Sequence, residues 1–133
     1  MPTLDSMAYP NAVIVLMDML GDIADCRPAP GPNFDPASTL IVVKRVGGGP
    51  DPDDVTDYPL MQVQCYAPTY TEAADLAASV QTRILSAPLT EVNGVLVDFA
   101  RIVTGEQEVP DVYPDDRRIV STFQLGWRRQ FRP

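Results

Sequence analysis

Tyr58-Pro59-Leu60-Met61-Gln62-Val63-Gln64-Cys65-Tyr66-Ala67, a short turn, and then Thr69-Tyr70-Thr71-Glu72 with the residues up to Ala87 decide how this chain folds. The first ten read as a strand. Thr69-Tyr70-Thr71-Glu72 has the Ser/Thr-x-x-Glu form of a capping box, in which two side chains satisfy two orphan backbone donors at a helix start. Behind it Ala73, Leu76, Ala77, Val80 and Ile84 recur at helical spacing, so one stripe of the helix has to be buried. The nearest surface able to bury it is the sheet that holds the preceding strand. A helix packed on a sheet follows, and nothing in this stretch offers reactive chemistry.

Upstream, residues 11–25 read as a first helix, with Val13, Leu16, Met17, Leu20 and Ile23 on one stripe and Asp18, Asp22 and Asp25 mostly off it. Gly21 costs about 1 kcal/mol in a helix interior and weakens the last turn. Residues 26–38 hold Pro28, Pro30, Pro32, Pro36 and Gly31, so they form a loop crossing to the sheet. Residues 39–46 are a β-branched run and a strand. A long tip, residues 47–57, joins it to the strand beginning at Tyr58, most simply as an antiparallel hairpin. Pro59 suits an edge strand or a strand end.

Downstream, Pro88 closes the second helix. Asn93-Gly94 is a two-residue turn signal that lets residues 89–92 pair briefly with residues from 95 onward. Residues 95–103 alternate as a strand, and residues 104–116 are a second long, acidic connection. Residues 118–131 form the last strand, with Ile119, Phe123, Leu125, Trp127 and Phe131 on one face. Phe123 reads as core, and a subunit interface gains weight toward Phe131. Gly126 marks a bulge or a close approach by a neighbour. The order α-β-β-α-β-β predicts an α+β fold: two helices on one face of a mostly antiparallel sheet of about four to five strands, in one domain spanning 1–133.

At 133 residues, with 45 % hydrophobic and 21 % charged side chains, the chain can build a core without metal or disulfide staples. Its 14 prolines, about twice the usual share, cluster in connections and stiffen them. The net charge of −8 is uneven. Arg117, Arg118, Arg128, Arg129 and Arg132 make the carboxyl end +5 with no acid, which leaves −13 for the rest. An acidic body argues against wrapping nucleic acid, and the basic end suits the acidic surface of another protein copy better. The apolar run 12–20 is too short to span a bilayer and has no basic residue before it, so a cytoplasmic, membrane-free protein is expected. Nine arginines against the single Lys44 suggest GC-rich coding.

The chain has no histidine, which removes Ser-His and Cys-His nucleophilic sites and the commonest transition-metal ligand. Cys26 and Cys65 have no metal or redox spacing and read as small buried hydrophobes. Gly47-Gly48-Gly49 lacks the lysine of a phosphate-binding loop. Asp51, Asp53, Asp54 and Asp57 superficially resemble a calcium loop, but Pro52 intrudes and the required Gly and Glu are missing. That cluster reads as a solvated hairpin tip; Glu106, Glu108 and Asp111 read as a solvated loop. No enzyme activity, cofactor or metal is expected.

In order and in residues the chain resembles the tail terminator proteins of long, non-contractile-tailed bacteriophages. The apolar helix 12–23, the strand 40–46, Pro59-Leu60-Met61-Gln62-Val63-Gln64-Cys65-Tyr66-Ala67, Thr71-Glu72-Ala73-Ala74-Asp75-Leu76-Ala77, and the strand 119–127 with Arg128 after it carry the resemblance. It implies a virion protein that forms a homo-oligomeric ring, commonly a hexamer. Such a ring caps the tube of major tail protein, stops its polymerisation and offers a docking surface to the head-completion protein. DNA would pass through the bore without specific binding, and the acidic tips are candidates for the lumen or the tube. The acidic loops and the basic carboxyl end, with Phe131, are a candidate complementary pair for the ring contact. Other readings are a head-closure or adaptor protein of the same joint, a small ligand-binding domain, and a nucleic-acid binder using Arg117 to Arg132.

Overall fold

The computed structural model describes residues 7–32, 34–35, 38–53, 55–108, 118–128 and 130–131. The short strand β1 (Met7–Ala8) precedes helix α1 (Ala12–Leu20), whose Asn11 side chain accepts hydrogen bonds from the Val13 and Ile14 amides at 3.0 and 3.3 Å. β2 (Cys26–Arg27), β3 (Leu40–Pro50) and β4 (Thr56–Tyr66) follow. Next come α2 (Tyr70–Leu85), the small strands β5 (Glu91–Val92) and β6 (Val95–Leu96), the long strands β7 (Phe99–Glu108) and β8 (Arg118–Arg128), and β9 (Gln130–Phe131).

The main sheet has the order β2-β3-β4-β8-β7, antiparallel except for the two-residue parallel pair of β2 on β3. β5 and β6 form a hairpin, and β1 pairs antiparallel with β9. This is the expected α+β fold. Both helices cover one face of the sheet. Beneath them Ile41, Val43, Met61, Val63, Cys65, Ile119, Phe123, Leu125 and Trp127 are buried with Leu16 and Leu20 of α1. The α2 stripe is the predicted one, Ala73, Leu76, Ala77, Val80 and Ile84, and the Thr69 hydroxyl accepts from the Glu72 amide at 3.2 Å. On α1 the stripe is rotated from the expected one: Ala12, Val15, Leu16, Met19 and Leu20 are buried, while Val13, Met17 and Ile23 only flank the core.

Several boundaries differ from expectation. α1 stops at Leu20, not residue 25, because Gly21 ends the hydrogen-bonded run and the next turn is looser. Pro59 sits in a central strand, not at an edge. It is tolerated because β4 and β8 lack paired register at Tyr58 and Pro59. The expected strand 95–103 is split at Val97 and Asp98, and its second part continues to Glu108 through two irregularities that bend it.

The hairpin tip is shorter than the predicted 47–57, because β3 runs on through the three glycines to Pro50. Val46 is an extra residue between the Arg45–Met61 and Gly47–Leu60 pairs, a bulge that lets the strand continue in register. Gly48 then takes φ +80°, and a Cβ there would stand 2.0 Å from the Tyr58 carbonyl oxygen. Gly48→Ala is therefore expected to cost at least about 3 kcal/mol, strain and clash combined. Gly49→Ala, with nothing within 4 Å of the added carbon, should stay within about 0.5 kcal/mol. Urea unfolding of the two variants measures the contrast.

Candidate functional site

The acidic tip is taken apart by its own geometry. Asp51 turns inward: its carboxylate accepts from the Val55 and Thr56 amides at 2.9 and 3.4 Å, and its own amide donates to the Thr56 carbonyl at 2.8 Å. Asp53 is exposed, and Asp54 lies outside the described residues. Asp57 is not part of a solvated tip. It is buried, and both of its oxygens accept from the Arg45 guanidinium at 2.9 Å each. Arg45 also donates through Nε to the Gly47 carbonyl at 3.2 Å, so the same side chain clamps the bulge. Among the described residues no group of three His, Cys, Asp or Glu could hold a metal ion.

Sequence reasoning missed this pair, although a signal was there. Ile41, Val43 and Arg45 share the inward parity of β3, and a cation at an inward strand position needs an acid opposite. Removing Arg45 leaves a buried carboxylate without its cation, whereas removing Asp57 frees a guanidinium whose side chain is 36 % exposed. Arg45→Ala is thus expected to cost about 3 kcal/mol and Asp57→Ala clearly less. Equal losses in urea unfolding would contradict that asymmetry.

Glu106 and Glu108 are not in a loop as expected: they lie in β7, whose end is at the opposite end of the sheet from the hairpin tip, and Asp111 lies outside the described residues. Thr56 pairs with Arg128, so the hairpin tip lies at the same end as the basic strand terminus. Arg128 is exposed and forms an ion pair with Asp98 at 3.8 Å. Met7 pairs with Phe131 there, so the carboxyl end is held by the amino end. At the other end Glu108 pairs with Ile119, close to Arg118, and β7 carries Glu106 up to that rim. The side chains of Glu106, Glu108 and Phe131, and residues Asp111, Arg117, Arg129 and Arg132, lie outside the described residues. The hairpin-tip end of the sheet thus combines acid and base among the described residues.

Arg118 starts a polar chain on the open face of the sheet. It donates to the Tyr66 hydroxyl at 3.4 Å, which donates to Gln64 at 3.1 Å, which donates to Gln62 at 2.9 Å. The Phe34 ring meets Tyr66 edge-on at 4.8 Å. At the opposite end of that face Tyr58 and Phe99 meet edge-on at 6.0 Å across Gly126. A Cβ on Gly126 would touch the Tyr58 ring at 3.0 Å, so the expected close approach is present.

On the helix side, Arg83 joins the layers by donating to the Met19 carbonyl at 2.8 Å and to both Asp22 oxygens at 2.8 and 3.1 Å. The hydrogen bonds from Arg83 hold the Asp22 carboxyl below its ordinary value of 3.8. A depressed acid contributes stability above the unfolded pKa and loses it as pH falls through the folded one, so this link weakens only in strong acid. A shallow cleft of about 390 Å³ lined by Arg27, Phe34, Asp35 and Leu40, among others, opens beside the loop after β2. Cys26 and Cys65 are both buried and free. They flank Ile41 on neighbouring strands, roughly 10 Å apart by strand spacing and beyond disulfide reach. Burial, with help from the Asp25 charge, pushes the Cys26 thiol up to about 11. Both thiols should therefore stay silent to an aromatic disulfide reagent at pH 8 until denaturant is added; rapid labelling of the native protein would contradict that burial.

A family model described as phage tail termination protein matches residues 8–132. The chain belongs to this family. No curated protein matches it. Family membership places the chain in phage tail assembly, as a structural component of the virion. Among the described residues no helix is long and apolar enough to cross a membrane.

Proposed function

We propose that copies of this chain close into a ring that caps the tube of major tail protein, ends its polymerisation and presents the docking surface for the head. The family match over residues 8–132 carries the reading. The shape of the subunit supports it. A two-layer sandwich has two broad faces for neighbours in a ring and two strand ends for molecules stacked above and below. The hairpin tip, with Asp51 and Asp53 beside Arg128, forms one such end, and the rim at Glu108 and Arg118 forms the other. Mixed charge at the hairpin-tip end suits contact with a different protein along the tail axis, because steering then depends on pattern and not on net sign. The ring acts by binding and geometry without covalent chemistry; a chain without histidine, with both thiols buried, supports that role. Its acidic excess keeps DNA from adhering to the bore.

Purified protein mixed with open tail tubes should cap one tube end in negative-stain images and stop further addition of tail subunits. Arg128→Glu with Arg129→Glu is expected to weaken capping about tenfold or more while rings persist. Tubes that keep growing in excess wild-type protein would refute the terminator role. Rings lost in the arginine variant would move that end of the subunit into the ring contact.

A further inference from the structure

The two broad faces of the subunit carry opposite charge. On the open face of the sheet, register sets Lys44, Gln62, Thr122 and Thr104 in one row and Leu60, Gln124 and Arg101 in the next. Arg118 stands further along the same face. Among the strand residues whose side chains are described, this face carries Arg27, Lys44, Arg101, Arg118 and Arg128 and no carboxylate; Arg27 and Arg128 pair with Asp25 and Asp98, while no described acid forms an ion pair with Lys44, Arg101 or Arg118. It is not merely wet. Phe99 is 36 % exposed and meets the Tyr58 ring edge-on, so an aromatic pair adjoins the cations at one end of the face.

The opposite face, the helix layer, is acidic. Its cation Arg83 is already paired, with Asp22. Asp18, Glu72, Asp75 and Glu91 remain exposed and outside any ion pair among the described residues. On α2 the exposed positions beside Asp75 are Thr71, Ala78, Ser79 and Thr82, all of them small and uncharged.

Resting on the ring reading above, we propose that the seam of the ring is formed by the open sheet face of one copy packed on the α2 face of the next. A head-to-tail ring needs two different, complementary patches on each subunit. These two faces lie on opposite sides of the sandwich and match in charge, and the aromatic pair at Tyr58 and Phe99 adds an apolar contact at one end of the sheet face. The occupant of the open sheet face is therefore a second copy of this chain.

Reciprocal charge reversal tests it. One variant carries Lys44→Glu and Arg101→Glu, the other Glu72→Lys and Asp75→Lys; circular dichroism and melting confirm that each folds. Glu72→Lys places a cation near a helix start, so Asp75→Lys alone serves as the milder version. Native mass spectrometry should show rings for wild type, and subunits for each variant alone, with association weakened on the order of a hundredfold or more. An equimolar mixture of the two variants should form rings of alternating subunits, because reversed faces match each other. Rings from either double variant alone, or folded variants whose mixture stays dispersed, would overturn the seam. So would loss of assembly in the sheet variant only, which marks a sheet-to-sheet contact. Variants that form rings yet fail to cap tubes would overturn it by assigning the face to the tube. A wild-type protein that never assembles would fail the ring reading itself, a result separable from all of these.

Discussion

Ile41, Val43, Met61, Val63, Cys65, Phe123, Leu125 and Trp127 project to one side of the sheet, and α1 and α2 keep water from them. Each buried aliphatic or aromatic side chain is worth about 1.5–3 kcal/mol relative to exposure, so this one interface supplies most of what opposes chain entropy. The rest of the molecule conforms to it. β3, β4 and β8 keep their inward alternation along most of their length, and where the helices end the inward positions turn polar and must be paired. Arg45 and Asp57 are what that transition looks like: inward positions toward the tip that carry charge, held in a bidentate clamp.

The clamp and the bulge are one device. With Val46 set aside as the extra residue, Gly47, Gly48 and Gly49 pair with Leu60, Pro59 and Tyr58; were Val46 kept in line, every later pair would slip by one. The bulge requires Gly48 in a left-handed conformation, and Arg45 holds the adjacent Gly47 carbonyl. Its effect reaches the open face: with register restored, Tyr58 stands opposite Gly49, and across β8 the Tyr58 and Phe99 rings come together over Gly126.

What could be read from the residues alone follows from how local each cause is. The Thr69 cap and the five-residue stripe of α2 are set within the helix, so spacing sufficed. The turn at Asn93-Gly94 is likewise local, with φ +47° and +86° at its two residues. The length of β3 was not legible, because Gly47, Gly48 and Gly49 signal a turn while long-range pairing with β4 makes them a strand. The parallel pairing of Cys26–Arg27 on β3, inside a proline-rich loop, depends on contacts that no pattern in two residues can encode. At the candidate site, the acids and arginines were visible as a charge distribution. Their sorting onto ends and faces was not, since Glu106 and Glu108 look like loop acids in sequence and lie in β7, at the end of the sheet opposite the hairpin tip.

Sheet edges also bear on how copies of the chain can meet. β2 covers β3 only at Ile41 and Val42, which leaves its length from Lys44 to Pro50 as an edge. That edge is interrupted by the Val46 bulge and ends in Pro50, which has no amide hydrogen to donate. The other edge, β7, has register shifts between Ile102 and Thr104 and between Thr104 and Gln107. Both edges therefore resist the addition of another strand, the simplest way for two β-proteins to join. In the proposed ring, association would then fall to the broad faces, where side-chain charge and shape, and not backbone hydrogen bonds, choose the partner. A ring built on faces can close at a fixed number of copies, whereas strand addition along an open edge has no inherent stopping point.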